Sequence, residues 1–121
     1  MIDTRNKIVA AERLAEAAVV AFGRFDVIRS EHCRILREAR GSAGPLVAAV
    51  LADAPGESLL FDQQSRAQLT AALADVDHVV VCERTEAERL AARLGAALLD
   101  VDAGLKRDLV ADVLERQSAK A

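Results

Sequence analysis

Apolar residues along this chain fall into short continuous runs, separated by longer stretches in which they recur every three or four positions. The run at 19–23 ends on Gly23, and the runs at 45–52, 77–82 and 96–101 are bounded by Pro, Asp, Glu or Gly. Unbroken apolar runs of this length are expected of strands covered on both faces. Between them the spacing turns helical. Residues 31–40 carry Ile35, Leu36 and Ala39 on one face, with Gly41 and Gly44 as the stop. Residues 63–74 form a helix with Leu69, Ala72 and Leu73 inward. Thr85 caps the next helix, with Glu88 at capping-box spacing, and Gly95 ends it after Leu94. A last helix is expected over 103–118, and a short amphipathic helix over 7–18, with Val9, Leu14 and Ala18, ahead of the first strand. Strict alternation of such elements predicts an α/β domain of three layers, a doubly wound parallel sheet between helices.

Composition narrows the class. A length of 121 residues predicts a single domain over 1–121, and just over half the residues are apolar. No run approaches a membrane span, and no charged start with an apolar core marks a leader, so a cytoplasmic protein without membrane partners is expected. The net charge is −3, acids and bases are interspersed, and Trp and Tyr are absent, which argues against nucleic acid as a partner. Cys33 and Cys82 sit in apolar-patterned segments and read as reduced, packed thiols. Neither they nor the doublet Asp100 and Asp102 has the companions a metal site needs, and no metal ligands are assigned. His78 reads as a structural residue of the third strand.

The stretch Gly23-Arg24-Phe25-Asp26-Val27-Ile28-Arg29-Ser30-Glu31-His32 carries the most chemistry. It leads from a strand through a polar loop into a helix, where free N–H groups attract anions. It resembles the signature G-x-F-D-x-x-H-x-G-H of the cytidylyltransferase-like nucleotidyltransferases, with Gly23, Phe25, Asp26 and His32 in register. The block from Arg66 to Val81, which contains Leu69, Leu73, Val76 and Asp77, is similar to a second family pattern, R-x-x-x-L-x-x-L-x-x-V-D-x-V-V. The lead-in from Asp3 to Val9 looks like that of ADP-heptose synthase nucleotidyltransferase domains, and glycerol-3-phosphate cytidylyltransferases share the core. The resemblance implies a Rossmann-type sheet of four strands in order 3-2-1-4 with right-handed crossovers. Its cleft would lie at the C-terminal ends of strands one and four, where the order reverses. Gly23, Arg24, Phe25, Asp26, Arg29, His32 and Arg66 would line or border it as the nucleotide site.

The chain also departs from that family. Arg29 replaces the first His of H-x-G-H, and Glu31 replaces its Gly. The loop 53–62 lacks the usual Lys, and the Ser/Thr element ahead of the last helix is replaced by Asp102-Ala103-Gly104-Leu105-Lys106. The family's K-G-x-D-Y-like segment has no counterpart. Glu31 is expected to occupy the anion position at its helix N-terminus, while Asp26 orients N–H groups of the loop and following helix. Arg66 reads equally as a phosphate contact or a solvated helix charge. The resulting expectation is a degenerate nucleotidyltransferase-like domain, with transfer lost or greatly reduced and a nucleotide or phosphorylated ligand still bound. The alternative is a divergent active enzyme joining CTP or ATP, with Mg²⁺, to a small phosphorylated or alcohol substrate. Arg29 and His32 would then be its catalytic pair. A protein-interaction module and a homodimer stay open beside these. A receiver-like domain lacks its acidic cluster and late Lys here.

Overall fold

The computed structural model describes residues 3–41 and 44–106. It contains four strands, β1 (Val19–Gly23), β2 (Leu46–Leu51), β3 (His78–Cys82) and β4 (Ala97–Asp100). They alternate with three helices, α1 (Ser30–Arg40), α2 (Gln63–Ala71) and α3 (Arg84–Leu94). A helical segment opens at Val101 and runs to Lys106, so most of the helix expected over 103–118 lies outside the described residues. The sheet order is β3-β2-β1-β4, with every neighbouring pair parallel, as the sequence predicts. Among the described residues, no helix is long and apolar enough to cross a membrane.

The two central strands are buried along their whole length, which is why they are apolar at every position. Odd and even residues serve different layers. Val19 and Ala21 join Leu46, Ala48 and Val50 against Leu36 of α1 and Ala67 and Ala71 of α2. Val20 and Phe22 join Val47, Ala49 and Leu51 against Ala87, Leu90 and Ala91 of α3. Asp77 ties the opposite end of the sheet together: it accepts the Leu46 N–H at 2.8 Å and the Arg40 Nε–H at 2.9 Å.

Three expectations need correction. Residues 7–18 are not an α-helix; the segment holds two 3₁₀ turns, Thr4–Lys7 and Ala11–Arg13, in an otherwise extended path. Ile8 bridges to Val79, and the Val9 N–H donates to the Val79 carbonyl at 2.9 Å. An open strand edge wants partners more than an Ala-rich segment wants to be helical. The buried face of α2 is Arg66, Ala67, Thr70 and Ala71, while Leu69 is 46% exposed, because the buried Arg66 takes an inward position. Helix α3 is capped at Glu83, whose N–H donates to Glu86 Oε1 at 3.2 Å, two positions ahead of the expected Thr85 box. Gly95 ends that helix as expected, in the left-handed region at φ 64°.

Candidate functional site

A cleft of about 670 Å³ opens at the C-terminal ends of the strands, within the size range of small-molecule sites. Phe22 and Arg24 line it from the end of β1 and the loop that follows, and Leu51 to Asp53 from the end of β2 and its loop. Pro55 and Glu57 form one rim, while Asp100, Asp102 and Lys106 face them. Arg84, at the start of α3, lays its guanidinium over the Phe22 ring, 4.9 Å from the centroid.

The loop after β1 is held by contacts that explain its sequence. A Cβ on Gly23 would meet Asp102 Oδ1 at 3.1 Å, so the absence of a side chain lets this carboxylate approach the strand end. The Arg24 N–H donates to Asp102 Oδ2 at 3.1 Å, and the Arg24 Nε–H to Glu57 Oε1 at 2.9 Å. Burial pushes the Asp102 carboxyl above the usual carboxylate range. Phe25 takes a positive φ of 53° with its ring buried, a strained geometry for a bulky residue. Asp26 accepts the N–H groups of Leu60 and Phe61, both at 2.8 Å, and those bonds hold its carboxyl below the usual range. Its partners are therefore in the loop after β2, and no bond to the N–H groups of α1 was needed to place it.

At the start of α1 the Arg29 N–H donates to His32 Nδ1 at 3.0 Å. His32 is 3% exposed, and burial, then the charge of Arg29, lowers its pKa. Because Nδ1 accepts the Arg29 N–H it carries no proton, so the ring is neutral with its proton on Nε2. Arg29 lines the cleft. Glu31 does not; it borders a separate hollow on the outer face of α1 with Cys33 and Arg37, and its Oε2 lies 4.0 Å from Arg29 Nε. Arg66 is fully buried. It donates to the carbonyls of Phe61, Arg24 and Leu51 at 3.1, 2.7 and 2.7 Å, and to Asp53 Oδ1 at 2.6 Å.

The family model for cytidylyltransferase-like domains matches residues 20–119. The chain belongs to the cytidylyltransferase-like family. Among solved structures, it is similar to the lipopolysaccharide core biosynthesis protein from Thermoplasma volcanium GSS1. That likeness has 26% identity and a TM-score of 0.55 over 63% of this chain and 66% of that one. A comparison with curated proteins finds no match.

Within this cytidylyltransferase-like frame, the seven candidate residues separate into two groups. Arg24 and Arg29 line the cleft. Gly23 lies against Asp102 at the end of β1, and His32 stands near enough to feel the Asp102 charge. Phe25, Asp26 and Arg66 brace the surrounding loops from behind. Arg66 is not a solvated charge: it is fully buried, and its bonds go to three carbonyls and to Asp53 at the edge of the cleft. The carboxylate beside the turn after β1 is Asp102, where Glu31 was expected. Sequence reasoning also missed Glu57 and Arg84 as cleft residues. Pro55-Gly56 was a turn signal that could have pointed to Glu57; nothing in the sequence marked Arg84. Among the described residues, no group of three or more His, Cys, Asp or Glu side chains is placed to hold a metal ion.

Proposed function

We propose that this cytidylyltransferase-like domain has lost, or greatly reduced, nucleotidyl transfer, while its cleft still accepts a nucleotide or another small phosphorylated ligand. The observation that carries this reading is the bond from the Arg24 N–H to Asp102. The first amide after the glycine of the turn is a natural phosphate donor, and here it is satisfied by a half-buried carboxylate from the same chain. Nucleotidyl transfer depends on charge stabilisation by such prepositioned donors, and loss of one costs roughly 100- to 1,000-fold in rate. The neutral His32 supports the same reading, because an imidazole without charge is a weaker partner for developing phosphate charge than an imidazolium. Three of the five acids that line the cleft are engaged by arginine: Asp53 by Arg66, and Glu57 and Asp102 by Arg24. Mg²⁺ would accordingly enter on the phosphates of a nucleotide rather than in a protein cage.

Arg29 favours the second reading, a divergent active enzyme, because it lines the cleft at a position the family gives to a histidine. Two measurements decide between them. Thermal-shift titration with CTP and ATP, each with Mg²⁺, should raise the melting temperature; a ligand at 100 times its dissociation constant stabilises by about 2.7 kcal/mol. Pyrophosphate release from either nucleotide, offered with small phosphorylated and alcohol acceptors, should stay at background. Sustained release would establish the active reading. No shift with either nucleotide would leave an interaction module.

A further inference from the structure

Arg24 presents two anion-binding groups to the cleft, a backbone N–H and a guanidinium, and each is held by a carboxylate from a different part of the chain. Asp102, from the start of the last described helical segment, accepts the N–H at 3.1 Å. Glu57, from the loop after β2, accepts the Nε–H at 2.9 Å. The placement of Glu57 is built in. Its N–H donates to the Ala54 carbonyl at 2.9 Å, closing a four-residue turn with Pro55 and Gly56 at the centre. Gly56 has a φ of 79°, as the third residue of a type II turn requires. Asp26 clamps the far side of the same loop through Leu60 and Phe61. Glu57 is thus aimed at Arg24 by a tight turn and a second anchor, not by a free surface side chain.

We infer that the cleft is self-ligated: Glu57 is an autoinhibitory stand-in for an anionic ligand on the Arg24 guanidinium, and Asp102 fills the neighbouring seat on its backbone N–H. The inference deepens the proposed reading of the cleft as a phosphate-ligand site and rests on it. A ligand carrying two linked phosphoryl groups must displace Glu57 to reach the Nε–H and backbone N–H side of Arg24. Its affinity is set by competition with an internal carboxylate, and displacement frees the turn at 54–57 from its contact with the β1 loop. The two carboxylates differ in how easily they yield. Glu57 and Arg24 have side chains about a third exposed, at 31% and 29%, so their pairing is a weak, exchangeable one. Asp102 is packed against Gly23 and stays in place.

The test is calorimetric titration of inorganic pyrophosphate, without metal, into wild type, Glu57→Gln and the double variant Glu57→Gln/Arg24→Gln. Glu57→Gln should tighten binding about two- to fivefold, the scale of a partly exposed ion pair. Adding Arg24→Gln should cancel the gain. Unchanged affinity in Glu57→Gln with a native far-ultraviolet spectrum would overturn the inference, as would a gain that survives loss of Arg24. Should Glu57→Gln melt too low to titrate, the Arg24 Nε–H resonance of the wild type gives the same answer. It should move on pyrophosphate saturation, and a resonance that stays put while pyrophosphate binds elsewhere refutes displacement. Failure of the underlying reading looks different: wild type that releases pyrophosphate from CTP or ATP defeats the loss of transfer and leaves the Glu57 result to stand on its own titration.

Discussion

A guanidinium taken wholly out of water must find acceptors for the N–H groups it brings, and Arg66 finds them in three carbonyls and Asp53. Those carbonyls belong to the loop before α2 and to the ends of β1 and β2, so one side chain fixes the spacing of the segments that frame the cleft. Replacement by Met would leave three carbonyls without their donor. Arg66→Met should therefore lose about 2–4 kcal/mol of stability, read as a lowered urea midpoint. Arg66→Lys should recover only part of it, because an ammonium cannot reach acceptors spread around a planar fork. The residue type and its place at the head of a helix were legible in the sequence, but its burial was not. A single position reads as buried or solvated only once the strand ends opposite it are known. Glu57 and Asp102 were hidden for the same reason, since each matters through a contact with Arg24 more than thirty positions away.

The elements themselves were more legible than the residues, because periodicity sums over many positions. All four strands and the helices α1, α2 and α3 fall where the apolar pattern places them, and what slipped, besides the cap of α3, was the rotation of α2 and the state of the N-terminal segment. Both errors have one physical source: tertiary partners, a buried Arg66 and the open edge of β3, overrode a weak local preference. Two predictions belong to this scale. Gly95 takes a left-handed conformation, and a Cβ there would find nothing within 4 Å, so Gly95→Ala meets backbone strain and no clash. It should cost about 1 kcal/mol, seen as a lower thermal midpoint with an unchanged spectrum. Glu31→Gly removes a carboxylate from the first turn of α1 and adds a poor helix former there. Stability should fall by about 1–2 kcal/mol. Pyrophosphate affinity should change by no more than about twofold, since Glu31 borders the outer hollow and pairs with Arg29 only at 4.0 Å. A large gain in affinity would return Glu31 to the phosphate seat.

Across the whole molecule, the titrating groups divide by sign. Asp26, Asp62 and Asp77 have lowered pKa values, the first two chiefly from backbone N–H bonds and Asp77 chiefly from the Arg40 side chain. The unfolded chain binds their protons more readily than the folded one, so the stability they contribute is present above the ordinary aspartate value of 3.8 and is lost as pH falls below it. His32 is lowered from 6.5 by burial, so its contribution is complete above that value and is lost as pH drops toward its folded pKa. Asp102 has the opposite sign. Its pKa is raised by burial, so the folded protein holds that proton more tightly, and the stability it contributes below 3.8 is lost as pH rises through the folded value. Wild type should therefore melt at progressively lower temperature from pH 7 to pH 3. Asp102→Asn keeps a side-chain oxygen for the Arg24 N–H but cannot ionise. Its melting temperature should match that of wild type near pH 3 and exceed it near pH 7, where wild type carries the half-buried charge. Melting curves of both proteins across that range measure the difference directly. A variant less stable than wild type at pH 7 would mean that the ionised carboxylate holds the turn through its bond to Arg24 more strongly than burial opposes it, and the phosphate seat would then be closed by a charge the fold requires.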